Sequence, residues 1–131
     1  TLSLPAALPI YGRHVALGAV EPKFWAAFCG AAGRPDWTAR QNEPMPQNAL
    51  KAEVAAFLAG LTLDQATEQF AGADCCLTPV LDLDEAARSP HFRQRGLLPR
   101  GRSGEYQALL PALVDGEAPV PRGPIRNADD V

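Results

Sequence analysis

One carboxylate stands where chemistry could be built. In Arg13-His14-Val15-Ala16-Leu17-Gly18-Ala19-Val20-Glu21-Pro22-Lys23-Phe24-Trp25, Glu21 falls between a strand-like alternation and a helix opened by proline. A carboxylate held between two rigid elements, close to the positive end of a helix dipole, can accept or hold a proton. On its own, the position reads more readily as a helix-start acid that satisfies orphan amides. His14 could act as a base, but on a strand beside Arg13 it reads as a packing or surface histidine. His91, in Ser89-Pro90-His91-Phe92, reads as a local hydrogen-bonding group. Cys29, Cys75 and Cys76 show no CxxC or Cys/His metal spacing, and all three are expected to be small buried hydrophobes. There is no serine elbow or phosphate loop; Gly101-Arg102-Ser103-Gly104 is too short for the latter.

The elements that must position Glu21 follow from periodicity. Residues 1–12, broken by Pro5 and Pro9, suggest an extended lead-in. Residues 13–20 alternate as a strand, with Val15, Leu17 and Ala19 on one face and small residues on the other. Residues 22–32 suit a helix with Phe24, Ala27, Phe28 and Ala31 inward, Pro22 in its first turn and Gly33 past its end. Residues 34–46 are polar and proline-broken, which predicts a loop. Leu50, Val54, Phe57, Leu58 and Leu61 form an amphipathic stripe. Thr62 and Gln65 then suit a capping box opening a helix to about Phe70, with Leu63, Ala66 and Phe70 inward.

Cys75–Leu81 reads as a second strand, and Pro79 makes it an edge strand or one that bulges. Asp82 with Glu85 opens a short helix, and Ser89-Pro90 opens another that ends at Gly96. Leu97-Leu98-Pro99 and Tyr106–Val114 are candidates for brief strands, and residues 115–131 for an extended tail. Trp25 and Trp37 are expected in the core or at its rim.

Composition bounds the rest. The 131 residues suffice for one domain with a modest core, and 47% apolar with 21% charged residues matches a globular protein. No apolar run approaches a membrane span, and the start shows no signal-peptide pattern. An odd cysteine count without a leader fits a reducing cytoplasm. A net charge of −3 argues against nucleic-acid binding through phosphates. Residues 43–85 are acidic, whereas 88–102 carry Arg88, Arg93, Arg95, Arg100 and Arg102; two solvated faces explain this better than an anion patch.

Three stretches go further together. Gly12 to Trp25, Asp74-Cys75-Cys76-Leu77-Thr78-Pro79-Val80-Leu81 and Pro90-His91-Phe92-Arg93-Gln94-Arg95-Gly96 match, in order and spacing, motifs of the small domain of family III CoA-transferases. The chain resembles the α-methylacyl-CoA racemase branch over about residues 8–100, and its end resembles the proline-rich return to the large domain. Tyr11-Gly12-Arg13 is shorter than the family's usual hairpin. The resemblance implies an α+β fold, a small mostly antiparallel sheet flanked by three to five helices. It divides the chain into a lead-in (1–12), a small domain (13–100) and a Gly/Pro-rich return linker (101–131).

Members of this family form interlocked two-domain dimers, and the large domain binds CoA and carries the principal catalytic groups. By resemblance, Glu21 corresponds to the glutamate of the racemases' GAxEPxF motif, an auxiliary acid beside the proton-exchange site. The resemblance thus implies a piece of an acyl-CoA racemase or CoA-transferase that supplies one wall and one carboxylate. It would bind no cofactor alone, act on acyl-CoA only in the complete enzyme, and pair with a large CoA-binding domain or with itself. The alternative is a free-standing, non-catalytic binding or assembly module derived from that domain, favoured by the apolar lead-in Leu2–Ile10, which needs a cover.

Overall fold

A computed structural model describes residues 7–101, 104–109, 111–113, 115–121 and 123. They fall into two compact units, which divide after Val80. The first unit holds β1 (Leu8–Ile10), β2 (Arg13–Leu17), α1 (Pro22–Ala31), a 3-10 helix (Pro35–Asn42), α2 (Asn48–Ala59), α3 (Leu63–Phe70) and β3 (Leu77–Pro79). The second holds α4 (Leu83–Arg88) and α5 (Pro90–Arg95). The expected class holds: a small antiparallel sheet flanked by helices.

The sheet order is β1-β2-β3, antiparallel throughout. Residues 8–10 of the lead-in are thus a strand rather than an unpaired approach. Leu8 faces Val15 and Ile10 faces Arg13 across a turn at Tyr11-Gly12, where Gly12 takes φ +71°. Both Leu8 and Ile10 are buried, so this part of the lead-in is covered by its own chain; residues 1–6 lie outside the described residues. The period of two on β2 is as expected, with Val15, Leu17 and Ala19 buried. β3 is an edge strand, which tolerates the missing N–H of Pro79. It begins at Leu77 and not at Cys75, because Cys76 adopts φ +54° and breaks the extended run.

The helices close on the inner sheet face. Trp25, Phe28 and Cys29 of α1, Trp37, Leu50, Val54 and Leu58 of α2, and Ala66 and Phe70 of α3 make the core with Leu8, Ile10 and Val15. Phe28 is its hub, with ring centroids 5.5 Å from Trp25, 6.3 Å from Trp37 and 5.2 Å from Phe70. The buried face of α1 is displaced by one residue from expectation: Trp25, Phe28, Cys29 and Ala32 are sealed, while Phe24, Ala27 and Ala31 are half-buried. The indole of Trp25 decides this, since burying it brings its N–H to the Trp37 carbonyl at 3.1 Å. Gly33, at φ +69°, ends α1 with paired bonds from Gly33 to Gly30 and from Arg34 to Cys29.

Two further corrections concern the loop and the thiols. Residues 35–42, expected as loop, form a 3-10 helix tied to α2: Glu53 accepts from the Trp37 indole at 2.9 Å, from Arg40 at 2.9 Å and from Arg34 at 3.2 Å. Cys29 and Cys75 are buried as expected, but Cys76 is exposed, because its left-handed backbone turns it away from the core.

In the second unit, both capping predictions are met. Asp82 and Glu85 exchange bonds at 2.8 and 2.9 Å, and Gly96 ends α5 at φ +61°. Leu97–Pro99 and residues 106–109 form no strand; they make a ribbon with one bridge, Arg100 to Tyr106. Leu110, Val114 and most of residues 122–131 lie outside the described residues. Arg88 and Arg100 are spent locally, on the Asp84 carbonyl and on Tyr106 respectively.

Candidate functional site

The candidate site is the turn from β2 into α1. β2 ends at Leu17, but Gly18 continues its line by donating to the Cys76 carbonyl at 2.9 Å. A Cβ added to Gly18 would make ordinary contact with the Cys76 Cβ at 3.5 Å, so the two residues already lie side by side. Val20 N–H then turns back to the Gly18 carbonyl at 2.7 Å. Glu21 is extended (φ −76°, ψ 143°), Pro22 starts the helix, and Trp25 N–H closes the first turn onto the Glu21 carbonyl at 3.0 Å.

The Glu21 side chain does not do what a helix-start acid ordinarily does. It makes no capping hydrogen bond to α1. Pro22 has removed one of the orphan amides, and the Lys23 ammonium at 3.5 Å gives the carboxylate a charged partner instead. The contrast lies within the same chain: Thr62 caps α3 and Asp82 caps α4, each reciprocated by the residue three positions on. With its side chain 64% exposed, the Glu21 carboxylate faces outward from a fixed turn. It can receive a proton or a hydrogen bond from something outside this unit.

The turn is fixed by a residue the sequence reading passed over. Gln41, on the 3-10 helix, is 3% exposed and donates from Nε2 to the Val20 carbonyl at 2.9 Å and the Ala19 carbonyl at 3.4 Å. Behind it, Gln47, also 3% exposed, donates to the Gln41 carbonyl at 2.9 Å and the Glu43 carbonyl at 2.6 Å. No local spacing marks it, since Gln41 lies in a polar run and its partners are the carbonyls of Ala19 and Val20, more than twenty positions earlier.

Neither histidine lies on the turn that carries Glu21. His14 is exposed on the outer face of β2 and lends its carbonyl to Val80 N–H. His91 is exposed in the second unit against Phe92. Among the described residues there is no cluster of three or more His, Cys, Asp or Glu that could hold a metal. A cleft of about 240 Å³ between α3 and β3 is lined by Leu63, Phe70, Leu77 and Pro79, among others, and does not include Glu21.

The fold and this turn define a class: a small α+β domain that presents a carboxylate at a strand-to-helix junction. Residues 9–129 match the family model for CoA-transferase family III. The chain belongs to that family. It is 31% identical over 91 residues to alpha-methylacyl-CoA racemase of Mus musculus, and 30% identical over 86 residues to that of Homo sapiens. Those matches cover 64% and 65% of this chain but 22% of each racemase, so the chain spans about a fifth of their length. The fold is similar to that of the hypothetical protein Rv3272 from Mycobacterium tuberculosis, with a TM-score of 0.67 and 20% identity over 95% of this chain and 36% of that one. Among the described residues, no helix is long and apolar enough to cross a membrane.

Proposed function

We propose that this chain is the small-domain portion of a family III CoA-thioester enzyme of the racemase type, acting in the cytoplasm. It supplies one wall and the Glu21 carboxylate to a site completed by a large CoA-binding domain, in the same polypeptide or in a partner copy. The observation that carries this reading is the Glu21 carboxylate: exposed, making no capping bond to its helix beyond an exposed ion pair with Lys23, and set on a turn held by Gln41. The similarity to the two racemases supports the substrate class.

Removing a proton alpha to a thioester carbonyl builds enolate charge on the carbonyl oxygen. That chemistry needs a base on one face, an acid on the other, and donors for the oxyanion. Glu21 is one carboxylate without those companions. Its role is auxiliary: it hydrogen-bonds and tunes a catalytic group held by the large domain, while α1 helps exclude water. By this reading the chain alone binds no cofactor and exchanges no proton, and acyl-CoA is the substrate of the assembled enzyme.

The test is hydrogen exchange at the alpha carbon of a 2-methylacyl-CoA in D2O. The 131-residue chain alone should show none, and racemisation by it alone would overturn the proposal. In the assembled enzyme, Glu21→Gln should slow exchange more than it weakens CoA binding. CoA transfer between acids without alpha-proton exchange would place the enzyme among the transferases instead.

A further inference from the structure

Glu21 is held through its backbone on both sides. Its own carbonyl accepts from Trp25 N–H at 3.0 Å, which any helix start provides. The carbonyl before it, that of Val20, has left the sheet and lies ahead of the helix, so neither ladder can serve it. Gln41 serves it, through an amide that is itself nearly sealed from solvent. The 3-10 helix carrying Gln41 is anchored by the fully buried Trp37 and by Glu53 of α2, and Gln47 braces the Gln41 carbonyl. An interior donor is thus spent on locating one exposed residue.

We infer that Gln41 is a positioning residue for the proposed reaction: its buried amide grips the Val20 carbonyl immediately before Glu21, and so sets where that carboxylate meets the thioester. This inference rests on the reading of Glu21 given under Proposed function. A side chain mislocated by a fraction of an ångström loses much of its effect on a proton transfer while substrate binding elsewhere is untouched.

The experiment compares the assembled enzyme with its Glu21→Gln, Gln41→Met and doubly substituted forms. Gln41→Met keeps the length of the side chain and removes the donor. It should lower kcat for alpha-proton exchange roughly tenfold with little change in KM, and add no further loss once Glu21 is already Gln. Independent of activity, it should speed amide hydrogen exchange at Val20 and Trp25 while leaving α2 and α3 protected. Should the Met form not fold, Gln41→Leu removes the donor with an apolar side chain of smaller reach, and the same losses are expected. Unaltered kcat in a folded Gln41 variant, fully additive losses in the double form, or unaltered protection at Val20 and Trp25 would each overturn the inference. With Glu21→Gln slow, those results leave the Glu21 reading standing. A Glu21→Gln enzyme as fast as the parent removes the Glu21 reading, and this inference with it.

Discussion

The indole nitrogen of Trp25 lies 3.1 Å from the carbonyl oxygen of Trp37, and both side chains are closed to solvent. That bond ties the helix following Glu21 to the 3-10 helix carrying Gln41. Trp25→Phe removes the donor and leaves a smaller ring in a filled core. It should destabilise the first unit by about 2 kcal/mol, from the lost bond and the void together. Urea unfolding followed by the fluorescence of Trp37 measures this directly. An unchanged midpoint would show that the bond contributes nothing to holding the two helices together.

Glu53 gathers three donors, and its carboxyl is held below the usual range, first by the Trp37 indole N–H and then by Arg40. Asp36 is lowered in the same direction by Arg34. A group depressed in the folded state contributes stability above its unfolded value, near 4.5 for Glu53, and loses it as pH falls through the folded value. Glu53→Gln should therefore be less stable than the parent at about pH 7, and the gap should narrow as the pH is taken toward about 3. Urea midpoints across that range test it. Parallel curves for the two proteins would remove Glu53 from the acid limb.

How much of this was legible in the sequence depends on whether the signal was local. Thr62 with Gln65, Asp82 with Glu85, Gly33 and Gly96 do their work within a few residues, and each sits where spacing placed it. The Val15, Leu17, Ala19 face was legible for the same reason. The 3-10 helix was not, because its stability comes from Glu53 and from burial of Trp37, neither of which is a local preference. Gln41 was hidden with it: a glutamine in a polar run looks solvated until its partner, 21 positions earlier, is in view. Glu21 was legible as a position but not as a conformation, since residue types alone favour the cap that it does not make.

The difference between Glu21 and the true caps yields a comparison within one molecule. Thr62→Ala and Asp82→Ala each remove a side chain that accepts from an orphan amide, and should cost about 1 kcal/mol in their own unit. Glu21→Gln removes no such bond and should leave the unfolding midpoint where it was. Chemical denaturation of the three variants decides the matter. A loss for Glu21→Gln equal to that for Thr62→Ala would return Glu21 to a structural role and take away the main support for the proposed function.

The cysteines give a further test of the turn. Burial pushes the Cys29 and Cys75 thiols up and shields them, whereas Cys76 is exposed on the left-handed residue whose carbonyl receives the Gly18 N–H. Access favours one site, Cys76. Iodoacetamide at about pH 8 should label Cys76 rapidly and the other two only in denaturant, with Cys76→Ser abolishing the rapid phase. Cys76 lies against Gly18, three residues before Glu21, so an adduct there crowds the end of the strand behind the carboxylate. In the assembled enzyme, labelled protein should lose alpha-proton exchange, and Cys76→Ser should keep it under the same treatment. Equal labelling of all three thiols in the folded chain would contradict the backbone geometry at Cys76 on which the closure of the turn depends.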